Sequence, residues 1–282
     1  MKIGFVILHY LTEKDTIECV RTIQEIPGSA QKSIVIIDNN SNNGSIEKIE
    51  KTLGSEENIF IIKNKKNLGF ACGNNVGYSY CKEKLKCDCI IICNNDTLFT
   101  KSQLLNIINE DIKKYKCGII APDIKSLIDN GHQNPMSDYI PTIHEIKKTI
   151  LKYRVLLLLY KLHLKSPHAK QNETINNGEH IKGIKLNIIP HGACIIFTPI
   201  FTSKMNSAFN DKTFLYLEEI LLKRKCDKAN ITTLYDPRIT VLHKEDSSTN
   251  RLNNNDNRKK KIFILKNLIR SHIVLLREER ES

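Results

Sequence analysis

The sequence predicts an α/β fold built on a mostly parallel central sheet with helices on both faces, and three observations point there. Apolar runs rich in β-branched residues recur at 3–8, 33–38, 58–62 and 87–93. Segments of helical spacing separate them, and fully apolar strands alternating with helices are the pattern of a parallel sheet buried on both sides. Three of the runs stop at polar clusters: His9-Tyr10, Asp38-Asn39-Asn40 and Asn94-Asn95-Asp96. In open parallel sheets a ligand sits beyond the carboxyl ends of the strands, so these clusters are the first functional clue.

Taken in order, residues 3–8 read as a buried first strand. Ile17, Val20, Ile23 and Ile26 give 15–26 one apolar helix face. The β-branched run 33–38 is the second strand, 45–53 returns as a helix, and 58–62 is the third strand. Residues 69–85 read as one helix and 87–93 as the fourth strand, with the period-two spacing of Cys87, Cys89 and Cys93 suggesting one strand face. The stretch 125–180 differs: it holds Pro135, Pro141 and Pro167 and a basic amphipathic segment, IHEIKKTILKYRVLLLLYKLHLK. Regular structure resumes at 181–189, followed by HGACIIFTP, a helix over 217–228 and two short strands at 231–235 and 239–243. Residues 245–261 are polar and Asn-rich, a linker or mobile loop, and an amphipathic helix over 260–277 closes the chain.

Composition narrows the class. Of 282 residues, 40% are hydrophobic and 26% charged, with 12 Gly and 8 Pro, which excludes a disordered or collagen-like chain. Lys and Arg outnumber Asp and Glu by 43 to 31, a net charge of +12 that admits nucleic acid, an anionic membrane or a phosphorylated ligand. The charge is concentrated: residues 144–170 carry +6 and residues 251–282 carry +5, leaving the rest near neutral. No nucleic-acid module is recognisable, so no nucleic-acid partner is expected. The nine Cys lack metal-ligand spacing and fit buried reduced thiols of a cytosolic protein. The N-terminus reads as a strand rather than a signal peptide, and no run approaches the roughly 20 apolar residues of a membrane span.

Several segments carry candidate chemistry, each beside a structural alternative. Asp38 suits a turn or a helix cap, or a carboxylate accepting a hydrogen bond from a ligand at the sheet mouth. In NLGFACGNNVG, Gly69, Gly73 and Gly77 recur every four residues, a bare stripe suited to close helix–sheet packing. Asn74 and Asn75 add amide donors near a helix start, where anions are favoured. Asp96 after a strand can hold a hard cation through oxygen or merely close a turn. Glu218 and Glu219 open a helix, where acids suit the dipole. They lie about 100° apart on the wheel, with Glu218 nearer the apolar stripe of Leu217, Leu221 and Leu222 and Glu219 pointing away. His243 ends the last strand as a ligand or a surface residue.

Together these pieces resemble family 2 glycosyltransferases of the GT-A, nucleotide-sugar-binding fold, over residues 1–249. The resemblance rests on order: a first strand ending in His9-Tyr10, then IIDNNS (36–41), NLGFACGNN (67–75) and CNNDT (93–97). HGACIIF (191–197), FLYLEE (214–219) with Arg224 one turn on, and VLHKEDSST (241–249) follow. The pattern is nearest that of rhamnosyltransferase-like bacterial enzymes of capsule, O-antigen or cell-wall polysaccharide. The resemblance implies that His9 and Tyr10 line a nucleobase bonded by Asp38, and that Asn67, Gly69, Asn74, Asn75 and Asn95 run along ribose, diphosphate and sugar. It implies that Asp96 holds Mg²⁺ or Mn²⁺ on the diphosphate, completed by His243. Asn94 replaces the first Asp of the family's D-x-D motif, leaving fewer anionic metal ligands. His191, Gly192 and Ala193 would shape the floor where sugar and acceptor meet. Glu219 matches the general base and Glu218 is the alternative, with Glu where Asp is more usual.

The expected protein is therefore an inverting glycosyltransferase of hexosyl or rhamnosyl type. It would use a dTDP- or UDP-linked sugar and act on a hydroxyl of a growing surface polysaccharide or lipid-linked glycan. The alternative is a catalytically inactive sugar-nucleotide-binding subunit of a glycan-assembly complex. The expected layout is a catalytic domain over 1–249 with a basic amphipathic insertion at 144–170, then a linker and basic helix over 250–282. The expected location is the cytoplasm, with the basic helices offered to the inner face of the membrane.

Overall fold

In the computed structural model, residues 1–28, 30–100, 103–164, 178, 180–245 and 257–280 are described. The boundary expected at 249/250 and most of the expected linker lie outside them. Nine strands form one sheet: β1 (Ile3–His9), β2 (Lys32–Asp38), β3 (Ile59–Lys63), β4 (Cys89–Asn94), β5 (Thr97–Phe99), β6 (Ile119–Ser126), β7 (Lys185–Leu186), β8 (Cys194–Phe197) and β9 (Thr233–His243). Their order is β3-β2-β1-β4-β8-β6-β9-β5, with β7 on β9. β1 to β4 are mutually parallel, β8 runs against β4 and β6, and β6 is parallel to β9. The helices are α1 (Glu13–Gln24), α2 (Ser45–Leu53), α3 (Gly69–Ser79), α4 (Leu104–Tyr115), α5 (Ile143–Lys161), α6 (Pro199–Lys204), α7 (Glu218–Lys228) and α8 (Asn257–Arg280).

The strand runs bury as their composition demands. β1 buries Ile3, Phe5 and Ile7 in one core and Val6 in the other, and β2 divides Ile34 and Ile36 from Val35 and Ile37. The chain adds β2 and β3 on one side of β1, then returns to place β4 on the other. This reversal opens a crevice at the carboxyl ends of β1 and β4.

Several expected elements differ in detail. The helix predicted over 69–85 changes at Tyr80 into a π-helical turn, Tyr80–Lys84. Cys89 and Cys93 share a face of β4, but Cys87 precedes the strand and packs in the opposite core. The strands expected at 231–235 and 239–243 are one strand, whose register shifts opposite Pro122 and Asp123 and absorbs Pro237 as a bulge. β5, α4 and β6 lie outside the expected elements. β6 reads IIAPDIKS, and its Pro-Asp interrupts the apolar run that marks the other strands. All nine Cys are free thiols, eight of them buried.

The expected basic helices pair with each other. α8 packs on α5 and α7 through Ile146, Ile150, Leu221, Val274 and Leu275. Tyr153 and His272 meet edge to face at 5.4 Å. No helix among the described residues is long and apolar enough to cross a membrane.

Candidate active site at the sheet mouth

The loop between β3 and α3 is held by one asparagine from the end of β2. Asn39 Nδ2 donates to Asn67 Oδ1 (2.9 Å) and to the Gly69 carbonyl (3.2 Å), while its Oδ1 accepts from Leu68 N–H (2.9 Å). Asn67 Oδ1 also accepts from Gly69 N–H at 2.9 Å. Gly69 has φ +79°, and a Cβ there would lie 2.2 Å from the Phe214 carbonyl oxygen. Phe70 N–H donates to that oxygen at 2.8 Å. Only glycine satisfies both the backbone angle and the approach, and the contact joins the NLGF and FLYLEE segments. Gly73 and Gly77 do something else: their missing Cβ atoms let α3 rest on Leu8 and Val6. The glycine stripe thus divides into one site residue and two packing residues.

Three predicted donor-binding residues turn inward. His9 is fully buried, with Nδ1 2.7 Å from Thr16 Oγ1 and Nε2 2.9 Å from Ser45 Oγ. Burial pushes its pKa down to about 4, against the opposing pull of Asp38 and Glu13. Asn95 Nδ2 donates to the Thr12 and Thr16 hydroxyls at 2.6 and 3.0 Å, tying β4 to α1. Asn75 exchanges two 2.9 Å bonds with the backbone of Phe209. It faces a groove of about 1000 Å³ between α3 and α7, outside the sheet mouth. These side chains spend their polar atoms on the frame. Asp38 is buried and accepts from Ser41 N–H at 3.0 Å, closing its turn. Asn74 is buried, and its Oδ1 has no hydrogen-bond partner.

Antiparallel pairing of Thr97 with His243 brings the end of β4 to the end of β9. There His243 Nε2 lies 3.3 Å from Asp96 Oδ1. His243 Nδ1 lies 2.8 Å from Gln133 Oε1, an oxygen that only accepts, so Nδ1 carries a proton. In the neutral ring Nε2 is then an acceptor facing a carboxylate. A proton on Nε2 or a cation between the two atoms satisfies that arrangement. Ligand atoms bound at about 2.1 Å and at right angles are separated by about 3 Å, so the pair fits a divalent ion. His191 stacks edge to face on His243 at 5.9 Å, and burial pushes its pKa down to about 4. A separate cluster, Asp123, His132 and His180, places three ligand atoms within 4.8 Å of one another and could also hold a metal.

The acid pair sits above a strained turn. Tyr216 and Leu217 both have left-handed φ, 76° and 68°, a costly conformation for side chains of this size. Glu218, at 2% exposure, is the more buried of the pair, and its Oε1 has no hydrogen-bond partner. Burial, then the Glu219 charge, push its pKa up to about 8. Burial raises Glu219 too, against hydrogen bonds from its own N–H and that of Gly192. A Cβ at Gly192 would lie 2.4 Å from Glu219 Oε1. Glycine is therefore required for this carboxylate to rest there. Both acids line a cavity of about 280 Å³ with Asn94, His191, Gly192 and Ala193. α8 closes its side: Leu268 lines it, Ser271 Oγ donates to the Leu215 carbonyl at 2.8 Å, and Glu279 pairs with Arg224.

The family model described as Glycosyl transferase family 2 matches residues 5–173, more than half of the chain. The chain belongs to this family. Among solved structures, S. aureus TarS 1–349 in complex with UDP matches with TM-score 0.53 and 12% identity, over 97% of this chain and 66% of that one. GalNAc-T7 with UDP, GalNAc and Mn²⁺ matches with TM-score 0.59 and 10% identity, over 88% of this chain and 45% of that one. The chain thus spans just under two thirds of the first and under half of the second. At these identities the likeness carries the fold, and the fold is GT-A. No curated protein matches the sequence. The family match ends before His191, the acid pair and His243, so these residues rest on geometry. Asn39, Gln133 and Leu268 escaped the sequence reading. Asn39 stood in a visible polar cluster, whereas Gln133 and Leu268 gave no local signal.

Proposed function

We propose that this family 2 glycosyltransferase moves a sugar from a nucleotide-diphosphate donor to an acceptor hydroxyl with inversion. The observation that carries the proposal is the acid pair of raised pKa opening on the same cavity as Asn94 and Gly192. A buried carboxylate of raised pKa is suited to proton transfer near neutral pH. Glu219, resting on Gly192, takes the proton from the acceptor hydroxyl as its oxygen bonds to the anomeric carbon. The bond from that carbon to the diphosphate oxygen breaks, and its electron pair leaves with the diphosphate. One displacement from the opposite face inverts the centre. Glu218, its carboxyl pushed toward the neutral form by burial and by the Glu219 charge, limits the negative charge in the cavity.

On the donor side, Tyr10 and Asp38 line the nucleobase, and the loop of Asn67 and Gly69, with Asn74, lies along ribose, diphosphate and sugar. His9, Asn75 and Asn95 hold those elements in place. Asp96 and His243 would hold a divalent cation, Mg²⁺ or Mn²⁺, which supplies positive charge to the leaving diphosphate. The UDP in both matched structures and the Mn²⁺ in one support a nucleotide-diphosphate donor bound with a divalent cation; the donor we propose is a UDP- or dTDP-linked hexose or deoxyhexose such as rhamnose. The acceptor is a growing surface glycan or its lipid-linked precursor, and the protein works in the cytoplasm at the inner membrane face.

A panel of nucleotide-sugars, each tested with Mn²⁺ for thermal stabilisation and acceptor-free hydrolysis, checks this reading. One UDP- or dTDP-sugar should both stabilise the protein and be hydrolysed. Stabilisation without hydrolysis, and without transfer to any glycan acceptor, would identify an inactive binding subunit instead.

A further inference from the structure

The face of α5 turned away from the core carries large aliphatic side chains in solvent. Leu151, Val155, Leu158 and Leu162 are 65, 50, 55 and 56% exposed, and their spacing places them on one stripe of the helix. The opposite face is satisfied, with Ile146, Ile150 and Tyr160 buried. Lys147, Arg154 and Lys161 border the stripe on one side, Lys148 and Lys152 on the other. Contiguous exposed apolar surface on a monomer marks an interaction site.

Beside the stripe, α5 and α8 enclose a groove of about 500 Å³. Lys147, Arg154, Arg277 and Arg280 line it over an apolar floor that includes Ile273 and Leu276, and among the described residues no carboxylate lines it. Leu151 belongs to both groove and stripe. The surface therefore combines aliphatic side chains at its crest with uncompensated cations at their base, complementary to a layer whose apolar interior lies beneath negative headgroups. A protein partner of ordinary mixed surface would not require cations on both flanks of the stripe.

We propose that α5 and the α5–α8 groove form the docking surface of this protein on an anionic phospholipid bilayer. The leucine stripe enters the headgroup boundary, and the groove receives a lipid phosphate. The binding stands independently of the sugar-transfer reading. If that reading holds, docking also serves the acceptor. Leu268 at the catalytic cavity and Leu276 in the groove lie on one helix, about 12 Å apart along its axis.

The test is cosedimentation of the full chain with phosphatidylcholine vesicles, with and without phosphatidylglycerol. The variants are Arg154→Gln/Arg277→Gln for the groove and Leu151→Gln/Leu158→Gln for the stripe. Circular dichroism and thermal melting check that each remains folded. The wild type should bind only the anionic vesicles and be released by salt. Each charge removed should weaken partition about fivefold, and the stripe variant should lose most binding. Equal binding to neutral vesicles, no binding at all, or wild-type binding by both variants would overturn the proposal. So would a dimer in light scattering that Leu151→Gln/Leu158→Gln dissociates, because the stripe would then be covered by a second copy.

Discussion

On the side of the crevice built by β1, β2 and β4, the polar residues at the strand ends mostly bond to neighbouring helices and loops. Asn39 grips the 67–69 loop, and His9 and Asn95 join α1 and α2 to the sheet. On the side built by β8, α7 and β9, burial has driven Glu218 toward neutrality and left one of its oxygens without a partner. Apart from Asn74 Oδ1, the first side is a satisfied network, rigid because every bond lost would expose a buried polar group. The second holds groups in states that water would not favour, beside a turn with two left-handed residues. A donor needs a preformed cradle, and a proton acceptor needs a displaced pKa. The contrast is what sugar transfer would ask of the two walls.

The largest test of that contrast is Glu219→Gln. It should fold normally and lose sugar transfer by about 10²–10⁴-fold, read as kcat with saturating donor, whereas Asn75→Ala should leave kcat near wild type. Near wild-type turnover in Glu219→Gln would remove the assigned base. Next, Asp96→Ala and His243→Ala should each weaken Mn²⁺ binding. Gln133→Leu, which alters only the partner of His243, should weaken it by about 10- to 100-fold. Titration calorimetry with Mn²⁺ and the donor's nucleoside diphosphate reads all three; an unchanged affinity in Asp96→Ala would move the metal elsewhere, with Asp123, His132 and His180 the next candidates.

Smaller effects test the joint between the walls. Gly69→Ala should cost about 3 kcal/mol, since the residue must adopt positive φ and also displace the Phe214 carbonyl. A melting temperature within a degree of wild type would show that the two loops part easily. The last effect is on pH. Glu218 has its pKa raised from 4.5 to about 8, so the folded state holds a proton that the unfolded chain releases. The associated stability is present below pH 4.5 and is lost as pH rises through about 8. Glu218→Gln should flatten the fall in melting temperature between pH 5 and about 8; an unchanged slope would locate the titrating group elsewhere.

The sequence determined the parallel half of the sheet, because strands buried on both faces must be apolar throughout and their ends must be polar where the ligand crevice opens. It located the acid pair and Asp96 by residue type and order. It could not divide Gly69 from Gly73 and Gly77, since all three lack a Cβ and only their neighbours differ: a carbonyl for one, Leu8 and Val6 for the others. The resemblance joined His243 to Asp96, but the β5–β9 pairing that sets them side by side, and the wall that α8 builds with Leu268, came only with the fold. The +12 of the composition was visible as two basic segments. Only their pairing as α5 and α8 put an unneutralised groove beside a bare leucine stripe. Periodicity reports which atoms must leave water, and that is a local property. Which polar atom is left without a partner depends on contacts far apart in the chain, and the chemistry resides there.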